Sequence, residues 1–286
     1  MRPGKSNRSR SRADQGRNRK KNSERKPSKK TIGEPRKDSK GPMRLNKYIA
    51  HSGICSRREA DTLISEGKVK VNDQTITELG YKVDPSAKIE VSGFEIKPEP
   101  FVYLLLHKQH DTITTTSDEK GRNTVVDLVE DVVGKRIYPV GRLDRNTTGA
   151  LLLTNDGELA HRLMHPSYRI GKIYEVQTEQ PLSDEDLKSL KAGVQLEDGP
   201  AKAYSVRRRP DRSDIIQIGV HEGRYHMVRR MMEAVGTQAV ALKRIRYANL
   251  TLKGLRSGRW RYLKKDEVDQ IRKMVKLKEL RNIQKS

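Results

Sequence analysis

Apolar residues recur along this chain first at helical spacing and then in alternation. Leu45, Tyr48 and Ile49 lie one helical turn apart. Ser56 and Glu59 form a Ser-x-x-Glu capping box ahead of Ala60, Leu63 and Ile64, and Gly67 supplies the stop, which predicts a second helix. Residues 68–72 then alternate polar and apolar, as a half-buried strand does. Asn72-Asp73 reads as a turn and residues 88–91 as another short strand. Pro98 and Pro100 mark a linker that closes this first unit.

The second unit opens with residues 101–106, a continuous apolar run suited to a central strand. Residues 124–131 carry a helical pattern. Residues 137–140 and 150–153 read as strands flanking a polar loop, and Asn155-Asp156-Gly157 turns the chain into a helix with Leu159, Leu163 and Met164. Strand patterns return at 172–178 and 214–220. A helix over 224–235 buries Val228, Met231, Met232 and Val235, with Gly236 just beyond its end. Strands and helices interleave without a strict βαβ rhythm, so the expected class is α+β with a mixed, mostly antiparallel sheet. The expected division is a basic tail over 1–41, a small domain over 42–98, a larger domain over 101–275 and a basic tail over 276–286.

Charge changes the picture next. The chain holds 60 Lys and Arg against 37 Asp and Glu, a net +23. Residues 1–41 contribute 16 basic and 4 acidic residues, with Ile32 as the only Leu, Ile, Val or Phe. Such a segment buries too little apolar surface to offset its ordering entropy and is expected to be disordered. The remainder keeps 44 basic and 33 acidic residues, so the folded part is basic in its own right. A field of this sign favours a polyanion, nucleic acid above all. No stretch approaches the roughly 20 apolar residues needed to span a bilayer, and no basic amphipathic helix with an aromatic face suggests a membrane surface. Cys55 is the one cysteine, which excludes an internal disulfide and fits a reducing cytoplasm.

The polar loop is the most informative stretch: Gly141-Arg142-Leu143-Asp144-Arg145-Asn146-Thr147-Thr148-Gly149. Glycine at both ends permits tight backbone and close ligand approach. Asp144 stands between Arg142 and Arg145, and adjacent positive charge favours an ionised carboxylate. A carboxylate on a loop over a rigid sheet, among phosphate-binding groups, suits a nucleophile or base acting on RNA. By loop chemistry alone, a plain surface turn is equally compatible. Among other candidates, the spacings of His107 with His110 and of His161 with His165 lack any further carboxylate or thiolate, so no metal site is expected. Neither a dinucleotide-binding nor a phosphate-loop glycine pattern is present.

Residues 138–144, continuing through 148–157, resemble the signature of bacterial ribosomal RNA pseudouridine synthases of the RsuA/RluB type. The resemblance extends over roughly residues 43–264. Residues 44–72 look like an S4 RNA-binding domain, in which Arg44, Lys47, Arg57 and Arg58 match the usual basic, RNA-facing surface. The resemblance makes Asp144 the catalytic aspartate and Tyr174 the tyrosine that stacks on the target base; read from its strand alone, Tyr174 is a core residue. Arg229 matches the basic residue that pairs with the aspartate, while Arg230, one residue along, is open to the same assignment or to a phosphate contact. Arg142 is expected at the substrate, and Leu242 matches a pocket leucine, although a core leucine fits equally. The implied reaction is conversion of a uridine in rRNA to pseudouridine, in 23S rather than 16S rRNA or in an assembly intermediate, with no cofactor. The single cysteine points to the cytoplasm, and with no apolar oligomerisation stripe left over a monomer is expected. A non-catalytic RNA-binding assembly factor shares the basic charge and the S4-like segment but has no need of Asp144, Tyr174 and Arg229 together.

Overall fold

In the computed structural model, residues 41–129 and 134–280 are described. The expected N-terminal tail up to residue 40 lies outside the described residues, as does the end of the C-terminal one. Met43–Arg44 (β1) pairs with Lys82–Val83 (β4). Between them, α1 (Leu45–His51) and α2 (Arg57–Ser65) bury Leu45, Tyr48, Ile49, Ala60 and Ile64. The capping box starts α2, with the Ser56 hydroxyl accepting from the Glu59 N–H at 3.2 Å. Val69–Val71 (β2), Gln74–Thr75 (β3), Ile89–Val91 (β5) and Phe94–Glu95 (β6) form a four-stranded antiparallel sheet. Asn72 and Asp73 turn its first hairpin at φ +47° and +68°, the left-handed pair that a tight hairpin needs.

A nine-stranded sheet dominates the rest. Its strands are Tyr103–Lys108 (β7), Tyr138–Pro139 (β8), Thr148–Thr154 (β9), Lys172–Thr178 (β10), Ser205–Arg209 (β13), Arg212–Val220 (β14), Ala239–Tyr247 (β15), Leu250–Thr251 (β16) and Trp260–Tyr262 (β17). The spatial order is β13-β14-β10-β15-β9-β7-β17, with β8 on β9 and β16 on β15. A separate hairpin joins Val194–Leu196 (β11) to Gly199–Ala201 (β12). Helices α3 (Gly157–Met164), α4 (Asp184–Ala192), α5 (Met227–Glu233) and α6 (Lys265–Met274) cover the large sheet. Alternation along β7 and β9 feeds two cores. Leu104, Leu106, Leu151 and Leu153 pack with Tyr174, Val176 and the α5 methionines, whereas Tyr103, Leu105 and Leu152 pack with Leu159, Leu163 and Ile271. The class is the expected α+β, mixed and mostly antiparallel, and no helix among the described residues is long and apolar enough to cross a membrane.

Departures from the sequence expectations have local causes. Strand β7 runs two residues later than the apolar run, because Asn155 Oδ1 takes the Val102 N–H at 2.8 Å and buried His107 and Lys108 extend the strand. Residues 125–129 form a turn, and residues 130–131 of the expected helix lie outside the described residues. Thr124 and Asp127 bond reciprocally, and the Val129 N–H reaches the Val126 carbonyl, three residues back rather than four. Helix α5 starts at Met227 instead of 224, since His226 takes a left-handed φ of +49°. At the other end, Leu277 and Leu280 of the expected C-terminal tail pack on the second core.

Candidate active site

The geometry of the site follows from one weak seam in the large sheet. Every strand pairing in it is antiparallel except β9 with β15, which run parallel through only two residue pairs, Lys243 with Thr148 and Arg244 with Gly149. Ahead of those pairs the 141–147 loop and residues 239–242 diverge, leaving a cleft. Gly149 sets the seam: its φ is +117°, and a Cβ there would lie 2.2 Å from the Arg244 carbonyl oxygen. Only glycine lets the two backbones approach so closely.

The loop itself is held from beneath. Thr114 Oγ1 donates to the Leu143 carbonyl at 2.7 Å and accepts from the Leu143 N–H at 3.2 Å. Lys108 is fully buried, and its Nζ donates to the carbonyls of Thr147 at 2.9 Å, Arg145 at 3.0 Å and Gln109 at 3.2 Å. Burial lowers the Lys108 pKa to about 8, although the Asp144 and Asp111 carboxylates pull it back up. Lys108 was not singled out in the sequence. Its one signal there is a charged residue continuing a strand whose other members are apolar or aromatic.

Asp144 emerges from this support with its side chain 37% exposed. Its Oδ2 accepts from Thr147 Oγ1 at 3.3 Å, and His226 Nε2 lies 3.7 Å from its Oδ1. The flanking arginines do not touch it: Arg145 pairs with Asp111, and Arg142 is exposed. Arg229, on α5, lines the same cleft of about 200 Å³ as Asp144, Asn146 and His226. The expected direct pairing of Arg229 with Asp144 is not formed within 4 Å, because its Nη1 donates instead to the Ala239 carbonyl at 2.9 Å. Arg230 is not among the residues lining that cleft and meets Asp198 of the β11–β12 turn at 2.9 Å.

A second hollow of about 340 Å³ adjoins the first through Asn146 and Arg229, and its walls include Thr148, Glu175, Gln177, Leu242 and Lys243. Leu242 and Tyr174 are 5% and 7% exposed and share a core with Leu143, the residue before Asp144. They are therefore core residues by packing that also stand behind the loop. Lys172, two residues before Tyr174, donates to the His221 carbonyl at 3.0 Å, and burial together with the nearby Arg244 charge lowers its pKa to about 8. On the smaller sheet's side, Arg44, Arg57 and Arg58 are exposed with no acidic partner within 4 Å among the described residues, whereas Lys47 reaches Glu158 of α3 at 3.4 Å. Of the histidine pairs, His107 is spent on the Leu255 carbonyl at 2.9 Å. An exposed carboxylate, a nearby arginine and a polar hollow at a sheet seam can bind a polar ring and act on it through one acidic group.

Comparison with known proteins is consistent across sequence and structure. A family model for RNA pseudouridylate synthases matches residues 102–234, and an S4 domain model matches residues 43–89. The ribosomal large subunit pseudouridine synthase B of Bacillus subtilis is 47% identical over 236 residues, 81% of this chain and 96% of that protein. An uncharacterised RNA pseudouridine synthase of Aquifex aeolicus is 42% identical over 82% of this chain and 96% of its own length. A crystal structure of a pseudouridylate synthase superposes with a TM-score of 0.58 at 25% identity, covering 80% of this chain and 99% of that one.

Proposed function

Given that the chain belongs to the RNA pseudouridylate synthase family, with an S4 domain ahead of the synthase domain, we propose that Asp144 is the carboxylate through which it isomerises a uridine of 23S ribosomal RNA. The observation that carries the reading is the placement of Asp144: on an anchored loop, part-exposed, beside Arg229 and two adjoining hollows. A uridine inside folded RNA has to be unstacked and swung out before its glycosidic bond can be reached. The hollows have the size and polarity for an extruded nucleotide, with Leu242 in the wall of the larger one, Tyr174 in the core that also holds Leu143, and Arg229 as the cation near the carboxylate.

Asp144 then acts on the ribose, by attack at C1′ or by removal of the 2′ proton; both routes break the N1–C1′ bond. The uracil turns and rejoins through C5, the C5 proton leaves, and N1 gains a proton. The reaction is redox-neutral and has no group donor, so the chemistry calls for no cofactor. The relatives named for the ribosomal large subunit support 23S over 16S rRNA. Exposed Arg44, Arg57 and Arg58 supply phosphate contacts from the S4 domain, and Arg142 supplies one at the loop.

The test is tritium release from rRNA transcripts labelled at uridine C5. Wild type is expected to release tritium from 23S but not 16S transcript, and Asp144→Asn to lose release by at least about 10³-fold while melting as wild type does. Release that persists in Asp144→Asn removes the carboxylate assignment. Tight binding without release from transcripts or assembly intermediates favours a binding-only protein.

A further inference from the structure

Tyr225 and His226 are absorbed by neither the core nor the loop support. Tyr225 is 72% exposed, one of the largest apolar exposures on the described surface. Its ring stacks on His226 with centroids 4.0 Å apart and planes 12° from parallel. His226 in turn places Nε2 3.7 Å from the Asp144 carboxylate and lines the same hollow. Its left-handed φ of +49° is a costly conformation for a β-carbon-bearing residue, and such strain concentrates where a side chain is aimed for a purpose. Two aromatic rings thus form a short stack running from the candidate catalytic carboxylate out to solvent, ending in a bare face.

We propose that this stack is a platform for RNA, on which the base neighbouring the extruded uridine lies against the Tyr225 ring. An unpaired base gains most from an exposed aromatic plane, and stacking of this kind is worth about 1–3 kcal/mol per base. Extrusion removes a stacking partner from that neighbour, and Tyr225 replaces it at the edge of the hollow that receives the uridine. His226 stands between the platform and Asp144, so the base that stacks on the platform is a neighbour of the reacting nucleotide. The inference rests on the rRNA-isomerising function proposed above.

Two readouts separate the inference from that premise. In tritium release from C5-labelled 23S transcript, Tyr225→Ala is expected to lose roughly ten-fold in kcat/KM, about 1.4 kcal/mol, mostly through KM. Tyr225→Phe, which keeps the ring, recovers the loss. Trp260 is the only tryptophan, so Tyr225→Trp in a Trp260→Phe background reports on stacking directly: its emission is expected to be quenched by the same transcript. Quenching without any release by wild type would sink the function and leave the platform. Release by wild type with an undiminished Tyr225→Ala and an unquenched Trp at 225 would overturn the platform and leave the function.

Discussion

At the scale of single residues, Lys108 shows how a charge is used inside a core. Its ammonium spends three N–H groups on loop carbonyls, two of them in the segment that follows Asp144. Removing it in Lys108→Met leaves those acceptors short of donors, at a cost of about 2 kcal/mol, and lets the loop drift, so kcat is expected to fall more than KM rises. The pH dependence has a definite sign. A lysine whose folded pKa is lowered to about 8 from its ordinary 10.5 is penalised when charged, so its contribution to stability is lost as pH falls through 8 and recovered as pH rises towards 10.5. The unfolding free energy of wild type, measured by denaturant titration, should therefore rise relative to Lys108→Met between pH 8 and 10.5. A constant difference across that window would remove Lys108 from the account.

At the scale of elements, α5 and the β9–β15 seam decide which side chains meet. Neighbouring arginines on one short helix serve different partners, being about 100° apart around its axis: Arg229 lines the cleft, and Arg230 is held by Asp198. Arg229→Ala is expected to lower kcat/KM roughly 10²-fold, the usual cost of deleting one positioned donor at a reacting centre. Arg230→Ala is expected to change stability little, as part-exposed ion pairs do, and to leave kcat near wild type. Equal losses in steady-state kinetics would mean that the helix phase is not what separates them. The seam itself was hidden in sequence. The irregular polar and apolar order of β15, AVALKRIRY, carries no clean period because the strand faces a neighbour on one stretch and a cleft on another.

At the scale of the whole molecule, charge is the governing quantity. The first 41 residues carry 16 basic and 4 acidic side chains, a net +12 out of +23. Each phosphate contact adds to counterion release, so a chain lacking residues 1–41 should bind rRNA with a shallower salt dependence and lose affinity most at lower salt, where the tail's contribution is largest. The modified uridine should stay the same, because the hollows, the loop and the S4 domain are unchanged. Mapping the modified position after truncation checks this, and a shifted position would give the tail a part in target choice.

What the sequence determined by itself was the set of local rules and their order. The capping box at Ser56 and Glu59, the Asn72-Asp73 hairpin and the alternation of 172–178 became elements at those positions, since each depends on neighbours within a few residues. The polar loop around Asp144 was legible through its glycines and its resemblance to known synthases. Only the tertiary structure decided what surrounds Asp144. The flanking arginines turn away, Lys108 from a distant strand holds the loop, and His226 from another segment stands 3.7 Å from the carboxylate. Those contacts join residues tens of positions apart across a two-residue parallel seam, and no local period encodes such a meeting; packing of the sheet does.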